Sequence, residues 1–388
     1  YDWRTLMGSA TYNGAAGIVP SSLGNDILQW EEQIQKEVGL DYGFWDDRIR
    51  GTLGYYQKKV DNLLYSDPVP TSSSFSSVYQ NIGSLKNRGI EFDVRVDIIK
   101  NVQKDLTWNV DFNIARNRTT LEKLNSSDGY FGGGAYDYFK IEEGGETGRF
   151  YGYKDAGRLF MTNEELVGLK TIDPKTGTLK YYRDDYNYER QGDVYIMDLD
   201  GDGQITADGD RTVIGNANPD FFGGFGSTLY WKGLMLNAVF SYSVGGDRFW
   251  DEEKNSSGDM NVYNTSNRIL DSWTVNPGVN ASYPRAMYYG WGSNSIITDR
   301  YIHDASYLRM TALNLSYRLP KHLYKNSILN AVEFTFQATN LFTWTKYPGM
   351  DPQGNFSTTY SAFYNMGIDY STYPSARTYN FGIKLTLK

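Results

Sequence analysis

The sequence predicts an all-β protein, the C-terminal portion of a transmembrane antiparallel β-barrel with about nine strands in this chain and long extracellular loops. Three observations support this fold class. Apolar and polar residues alternate in runs of about 9–11 residues, the length that a tilted strand needs to cross a bilayer. The connections between the runs are alternately short and long, as in outer-membrane barrels. Finally, the sequence has no run of about 18 apolar residues, so no transmembrane helix is predicted.

The clearest alternation lies in residues 89–116, which form a predicted hairpin. Apolar side chains occupy every second position from Ile90 to Ile98, and charged side chains lie between them. The second run repeats the pattern from Leu106 to Ile114. Because successive strand side chains point to opposite faces, each run has one apolar and one polar face. A soluble sheet also alternates, but charges along the whole polar face favour a barrel with lipid outside and water inside.

Residues 1–34 are mixed, with Gly-rich and Ser-rich pieces, and are interpreted as part of a loop that leads into the first strand. The predicted strands share the alternating pattern and fall at about residues 35–45, 49–56, 90–98, 106–114, 217–231, 234–244, 313–319, 332–339 and 379–387. Short turns lie at residues 46–47, 100–105, 232–233 and 320–330. The long loops cover residues 118–218, 245–302 and 343–375. We expect these loops to leave the same end of the barrel and to build one extracellular surface.

The strand count also predicts which part of a barrel is present. An odd number of strands that ends at the periplasm implies that the first strand begins outside the cell. Since single-chain bacterial barrels have an even number of strands, upstream strands are expected to be missing. The N-terminal residues, Tyr1-Asp2-Trp3-Arg4, do not resemble a signal peptide. Residues 1–388 are therefore interpreted as the C-terminal part of one barrel domain.

Composition and single residues exclude several functions. The chain has 33 Tyr and 9 Trp, which suits interfacial girdles and loops that bind sugars or peptides. A net charge of -8 gives no sign of nucleic-acid binding. The only histidines, His303 and His322, are far apart, and the chain has no Cys, so neither a zinc site nor an enzyme is predicted. His303 and Asp304 are expected to form a solvated pair near the start of a strand.

An acidic loop that begins at Asp198 resembles an EF-hand loop. Aspartates take its positions 1, 3 and 5, Gly203 takes position 6, and Gln204 can offer its carbonyl at position 7. Position 12 is Gly209 rather than Glu. The candidate metal ligands are Asp198, Asp200, Asp202, Gln204, Asp208 and Asp210. The sequence predicts a structural Ca²⁺ here; the alternative is an Asp- and Gly-rich turn that is empty or holds water or Na⁺.

Aromatic residues are clustered in the long loops, where their rings can stack on a sugar or peptide. The candidate ligand-binding residues are Tyr130, Tyr136, Tyr138, Tyr288, Tyr289 and Trp291. The same rings could equally pack the loops on one another, and at the level of sequence both alternatives remain open.

Short motifs follow one another along almost the whole chain. They include Gly39-Leu40-Asp41-Tyr42-Gly43, Asn87-Arg88-Gly89-Ile90-Glu91, Phe150-Tyr151-Gly152-Tyr153, Asp198-Leu199-Asp200-Gly201-Asp202-Gly203, Asn340-Leu341-Phe342-Thr343-Trp344 and Arg377-Thr378-Tyr379. In this order they resemble the C-terminal part of SusC/RagA-like TonB-dependent transporters of the Bacteroidetes outer membrane. The end of the chain, Leu385 to Lys388, departs from the resemblance, because such barrels usually stop at an aromatic residue.

The resemblance implies a barrel of about 22 strands with an N-terminal plug, so that the plug and the first strands are absent from this chain. It also implies TonB contact through the absent N-terminal region, a SusD-like lipoprotein lid and contact with outer-membrane lipid. The implied function is TonB-dependent active import of a bulky nutrient, a glycan or peptide, across the bacterial outer membrane. The alternatives are a passive porin, although the loops are longer than a porin needs, and a soluble glycan-binding or glycan-cleaving β-protein.

Overall fold

The main element of the computed structural model is a sheet of nine antiparallel strands. The structure describes residues 3–81, 83–124, 130–131, 138–162, 165, 171–172, 179–180, 191–258, 265–278, 280–286, 294, 296–325, 328–354 and 366–387. The sheet strands are β1 (Glu32–Phe44), β2 (Ile49–Asp61), β3 (Gly83–Asn101), β4 (Leu106–Leu124), β5 (Phe221–Trp231), β6 (Leu234–Val244), β7 (Tyr307–Arg318), β8 (Leu329–Thr345) and β9 (Thr378–Leu387). Each strand pairs with its neighbours in sequence, so β1 and β9 form the two edges.

The connections between the nine strands are alternately short and long, which confirms the prediction. The short connections span residues 45–48, 102–105, 232–233 and 319–328, and the long ones span 62–82, 125–220, 245–306 and 346–377. Lys232 and Gly233 have positive φ angles of 47° and 86°. That backbone is typical of a type I′ hairpin turn, whose twist matches that of the strands it joins.

One face of the sheet is apolar from edge to edge. A register row that crosses eight strands contains Tyr42, Gly51, Val94, Phe112, Phe225, Phe240, Met310 and Phe342. The rings of Phe225 and Phe240 stack with their centroids 4.6 Å apart. The alternation predicted for the β3–β4 hairpin is confirmed, since Phe92, Val94 and Phe112 all face this side.

The opposite face of the sheet is polar. One register row contains Asn109, Thr228, Asn237, Asn314, Gln337 and Asn380. The Asn237 amide donates to Thr228 Oγ1 at 2.9 Å, and the Asn314 amide donates to Asn237 Oδ1 at 2.9 Å. Cross-strand pairs of this kind stabilise a sheet and help to fix its register.

Strands β3 and β4 are longer than predicted, with 19 residues each. Strand β3 already begins at Gly83 and β4 continues to Leu124, its partner, so both extend beyond the alternating run as far as the long loops. The register also shifts between Asp97 and Ile99, so that Ile99 rather than Ile98 pairs with Trp108. A bulge inserts one residue and reverses the alternation, so a strict period of two cannot locate it.

Strand β7 begins at Tyr307, whereas the pattern predicted a start at residue 313. The register shifts between Met310 and Ala312, which makes Thr311 the extra residue of a bulge. Above the bulge the apolar face continues on residues of the opposite parity, including Leu308, and the sequence pattern therefore missed this part of the strand.

The prediction that residues 1–34 form a loop is wrong for residues 7–20. Strands Met7–Tyr12 and Ala15–Pro20 pair as a hairpin. Its turn, Asn13-Gly14, has positive φ at both residues, 48° and 80°. An Asn-Gly pair is a strong hairpin signal, but the small residues of the flanking strands show no clear alternation.

The long connections contain short elements. Their strands are Leu64–Pro68, Ser77–Asn81, Tyr130–Phe131, Ile141–Glu142, Arg149–Tyr153, Asp155–Leu159, Thr171–Ile172, Leu179–Lys180, Val194–Ile196, Arg211–Asn216, Asp247–Trp250, Ile302–Asp304 and Ile368–Asp369. Their helical turns are Thr71–Ser73, Ala207–Asp210, Asp251–Glu253, Lys254–Gly258, Asn267–Asp271 and Asp299–Tyr301, while Val102–Lys104 and Lys321–Tyr324 lie in short connections. Among the described residues, no helix is long and apolar enough to cross a membrane.

Candidate functional site

The three longest connections pack into one body, the loop assembly, formed by the described residues of 138–220, 245–306 and 346–377. Its central cluster contains Tyr138, Phe139, Phe150, Ala217, Phe249, Tyr301 and Ile368, so each connection contributes. The centroids of Phe139 and Phe150 are 5.0 Å apart, and those of Tyr138 and Phe249 are 4.8 Å apart. The three loops therefore meet at one end of the sheet, as predicted.

The candidate ligand-binding aromatics have different positions. Tyr138 is only 4% exposed, and its hydroxyl donates to Asp251 Oδ1 at 3.0 Å. Its position favours the alternative in which the aromatics pack the loops together. The backbone of Tyr130 pairs with Glu142 in a two-residue ladder. The other four candidates lie outside the described residues, namely Tyr136, Tyr288, Tyr289 and Trp291.

A buried ion pair joins the first loop to the second. Asp193 is 1% exposed and accepts from Arg285 Nε at 2.6 Å and from Arg285 Nη2 at 3.1 Å. The amide of Asn294, which is also buried, donates to Asp193 Oδ1 at 2.8 Å. This triad could not be predicted from the sequence, because Asp193 lies about 100 positions from its partners and the residues form no local pattern.

Glu253 forms a second buried polar centre. It is 6% exposed and is paired with Arg268, and its Oε2 lies 2.6 Å from His303 Nε2. Tyr283 Oη donates to Glu253 Oε1 at 3.3 Å. The predicted solvated pair of His303 and Asp304 is therefore wrong: His303 contacts a carboxylate of the second loop, because the fold turns its ring towards the interior of the loop assembly.

The third loop is held by two buried carboxylates. Arg309 Nη2 donates to Asp351 Oδ1 at 2.6 Å, which ties this loop to strand β7. Burial opposes ionisation of Asp351, but hydrogen bonds from Arg309 and from two backbone N–H groups outweigh it and lower the pKa of the carboxyl. Tyr347 Oη donates to Asp369 Oδ2 at 2.7 Å, and burial together with this carboxylate raises the pKa of Tyr347.

The predicted metal loop brings three of its six candidate residues together. One carboxylate oxygen from each of Asp198, Asp200 and Asp202 lies within 4.8 Å of the others, and all three residues are exposed. The backbone of the loop curls around Asp198, which accepts from the N–H groups of Gly201 and Gly203 at 2.7 and 2.8 Å. Converging carboxylates held by a tight glycine turn are the donors that a hard cation such as Ca²⁺ prefers.

The other three candidates have different environments. Asp210 is fully buried and accepts from the N–H groups of Leu199 and Thr206, both at 2.7 Å, so it closes the loop from inside. Gln204 is 5% exposed, whereas Asp208 is exposed. The Asp202 N–H lowers the pKa of Asp200, but partial loss of hydration and the charges of Asp202 and Asp210 outweigh this bond and raise the pKa. A bound cation would relieve this repulsion.

A nine-strand sheet with one apolar face and long loops packed at one end is also what a known protein family shares. A family model described as "TonB dependent receptor-like, beta-barrel" matches residues 3–341. The chain belongs to this family. Its members are outer-membrane transporters and receptors rather than enzymes, so the nine strands are part of a barrel wall, with the apolar face towards lipid.

Relatives agree with the family model and with the resemblance to SusC/RagA-like transporters. TonB-dependent receptor P3 of Formosa agariphila is 33% identical over 384 residues, which cover 95% of this chain and 35% of that protein. TonB-dependent receptor SusC of Bacteroides thetaiotaomicron is 29% identical over 93% of this chain and 32% of its own length. The chain therefore spans about a third of the curated relatives it matches.

A solved structure described as the RagAB peptide transporter has the same fold. It superposes with a TM-score of 0.72 at 26% sequence identity, covering 99% of this chain and 39% of that chain. A second structure, described as the RagAB peptide importer in the closed-closed state, superposes with a TM-score of 0.73 at 26% identity.

Proposed function

We propose that the full-length protein imports a bulky nutrient, a glycan or a peptide, across the bacterial outer membrane by TonB-dependent active transport. This proposal rests on one observation: three long loops pack into a single body at one end of a barrel wall that has one apolar face. A passive porin does not need loops that form so large an ordered extracellular surface. In this proposal the chain supplies wall, lumen lining and extracellular loops, and performs no covalent chemistry.

The proposed partners follow from the same arrangement. A SusD-like lipoprotein would dock on the loop assembly, and TonB would act through residues N-terminal to this chain. The relative named SusC and the solved RagAB structures support these two proposed partners. The RagAB structures are described as transporting peptide. Glycan and peptide both remain candidate cargoes.

The direct test measures uptake by cells that carry the full-length protein. Deletion of residues 255–265, within the second loop, should reduce uptake or recovery of the lipoprotein while the barrel still assembles. Removal of TonB should abolish uptake by the unmodified protein. Uptake that continues without TonB, and that survives removal of each long loop in turn, would favour the passive porin instead.

We infer that Asp198, Asp200 and Asp202 bind a structural Ca²⁺, with the carbonyl of Gln204 as a further donor. The clustered oxygens and the glycine turn support this assignment. The buried Asp210 would act on the loop backbone rather than on the ion, since it accepts from two backbone N–H groups and is not one of the three carboxylates that converge. Exposed Asp208 is the weakest candidate ligand.

We also propose that some loop aromatics contact cargo or the lipoprotein. The candidates are Tyr130, Tyr136, Tyr288, Tyr289 and Trp291. Aromatic side chains dominate such interfaces, so replacing Tyr288, Tyr289 and Trp291 together by Ala should lower uptake more than replacing any one of them.

A further inference from the structure

The apolar face of the sheet contains a groove at the end from which the long loops leave. Its volume is about 710 Å³, and its lining includes Phe112, Ile114, Phe221, Val244, Leu308 and Trp344. The hydroxyl of Tyr242, which also lines the groove, donates to the backbone carbonyl of Asn113 at 2.8 Å. This hydroxyl is therefore satisfied within the sheet, and the groove presents mainly hydrocarbon to a ligand.

Basic side chains lie at both sides of the upper border of the groove. Ile114 of β4 and Trp344 of β8 belong to one register row that passes through β5, β6 and β7. The next outward positions towards the loops are Arg116 on β4 and Lys346 directly after β8, and both residues are exposed. The one carboxylate in the groove lining belongs to Asp304, and it accepts from the Ser306 N–H at 2.8 Å.

Arg116 has a second arginine beside it on the same face of the sheet. Arg88 of β3 pairs with Arg118 of β4, and Arg116 pairs with Ile90 of β3. Arg88 and Arg116, the arginine pair, are therefore diagonal neighbours. Diagonal neighbours in a sheet are about 7–8 Å apart, within reach of long side chains. Because both residues are exposed, the two guanidinium groups can converge on one anion.

The cations around the arginine pair are neutralised, whereas the pair itself is not. Arg118 binds Asp220 at 3.0 Å, and Lys86 binds Glu122 at 3.0 Å. In the part of the chain that the structure describes, neither member of the arginine pair has a carboxylate partner. Two adjacent like charges repel each other, so an anion bound between them would remove an unfavourable interaction.

The arginine pair lies at the depth of the lipid headgroups. On β4 the apolar outward positions run from Leu106 to Ile114, and Arg116 is the next one. At about 3.3 Å per residue and a tilt of about 40°, this run spans about 20–25 Å, close to the 25 Å height of a barrel's apolar band. The groove is therefore at the level of acyl chains, and the arginine pair at the level of phosphate groups.

We propose that the groove and the arginine pair bind a phosphate-bearing lipid of the outer leaflet. An acyl chain occupies the groove, the phosphate lies between Arg88 and Arg116, and Lys346 contacts the headgroup from the other side. Guanidinium groups suit this role because they bind phosphate through two parallel hydrogen bonds. The site rests on the proposed placement of the long loops outside the cell, but it depends neither on the cargo nor on TonB.

The test measures lipid binding to the purified full-length protein in detergent by native mass spectrometry. Three probes separate the parts of the ligand: phosphatidic acid has phosphate and acyl chains, diacylglycerol has the chains alone, and inorganic phosphate has the anion alone. We expect selective retention of phosphatidic acid. Replacing both Arg88 and Arg116 by Gln should weaken its binding roughly thirtyfold, the factor for two basic side chains near a membrane surface.

A matched control removes the same charge from the opposite face. Arg50 of β2 and Arg95 of β3 are register partners on the polar face. Arg50→Gln together with Arg95→Gln should leave the affinity for phosphatidic acid unchanged. Equal weakening by both double variants would show that overall charge, rather than the arginine pair, attracts the lipid, and would overturn the proposal.

The groove is tested by filling it. Val244→Trp places a larger side chain in the groove, and it should weaken phosphatidic acid binding on the order of tenfold, the factor for about two methylene groups displaced. Ile114→Trp serves the same purpose if the first variant does not assemble. The control is Leu40→Trp on the same apolar face of β1, outside the groove, which should bind as the unmodified protein does.

Three further outcomes would overturn the proposal. Equal retention of diacylglycerol and phosphatidic acid would indicate an unselective lipid contact. Binding of inorganic phosphate as tight as that of phosphatidic acid would indicate a site for the free anion. Loss of lipoprotein recovery in the Arg88 and Arg116 double variant, with unchanged lipid binding, would assign the surface to that partner. Selective lipid binding by a protein without TonB-dependent uptake would support the site and contradict only the proposed function.

Discussion

The barrel wall and the loop assembly place their charged groups by opposite rules. In the wall, charges such as Arg95 and Asp111 face one another across strands on the polar side, away from lipid. In the loop assembly, Asp193 and Asp210 are almost completely buried and are held by several donors. The wall is therefore held by its backbone ladder and by the placement of apolar side chains towards lipid and polar ones towards water, whereas the loop assembly combines an apolar cluster with buried charges that several donors satisfy.

The largest expected effect tests the buried charges. Asp193→Ala removes the buried carboxylate that accepts from Arg285 and Asn294, and loss of a hydrogen bond to a charged group costs about 1.5–3 kcal/mol. We expect the loop assembly to become sensitive to protease while the barrel keeps its heat-modifiable mobility. The control is Glu142→Ala, because the Lys140–Glu142 pair is solvent-exposed and should contribute less than about 1 kcal/mol. If the two variants were equally resistant to protease, the buried charge would not stabilise the loop assembly more than an exposed pair does.

The next effect tests the wall. Val110 lies on the apolar face and Asn109 on the polar face of β4. Val110→Arg should cost about 2–4 kcal/mol if the residue lies near the middle of the bilayer, and Asn109→Arg far less. The measurement is the folded fraction in lipid vesicles as a function of denaturant. Similar midpoints for the two variants would contradict the assignment of the apolar face to lipid.

The acidic loop sharpens the comparison, because its charges are exposed and would be satisfied by an ion. With Ca²⁺ at about 100 times its dissociation constant, binding stabilises the bound form by about 2.7 kcal/mol. Ca²⁺ should protect residues 191–218 from protease, and a chelator or the double change Asp200→Ala and Asp202→Ala should remove this protection. Asp208→Ala is the control and should keep most of it. If protection did not depend on Ca²⁺, the alternative would hold, in which the loop is an Asp- and Gly-rich turn without a bound Ca²⁺.

The smallest effect concerns pH. The folded-state pKa of Asp351 is lowered below the ordinary 3.8, so its stabilising contribution is complete above that value and is lost as the pH falls below it. The third loop should therefore loosen below about pH 4, by on the order of 1–2 kcal/mol for the charged hydrogen bonds. Asp351→Asn should weaken this anchor at neutral pH and flatten the acid response. Hydrogen exchange of residues 346–354 measures both outcomes.

Bulges and buried pairs show why the sequence predicted the wall better than the loops. Alternation between lipid and water is a local property with a period of two, so nine strands, their faces and their turns could be located without a structure. A bulge at Thr311 reversed the phase of β7 and hid the start of that strand. In the loops, the sequence suggested Tyr138 as a ligand-binding residue, but its burial against Phe249 depended on a distant segment.

The sequence by itself determined the barrel wall, the end from which the long loops leave, and the acidic loop with its three spaced aspartates. Each of these features depends on a pattern among residues that are close together in the sequence. Only the tertiary structure decided that His303 faces Glu253, that Asp193 binds Arg285, and that Tyr42 reaches Asp93 over a glycine. These contacts join residues that are far apart in the chain. They depend on which segments the nine-strand sheet and the packed loops bring together, and local periodicity does not contain that information.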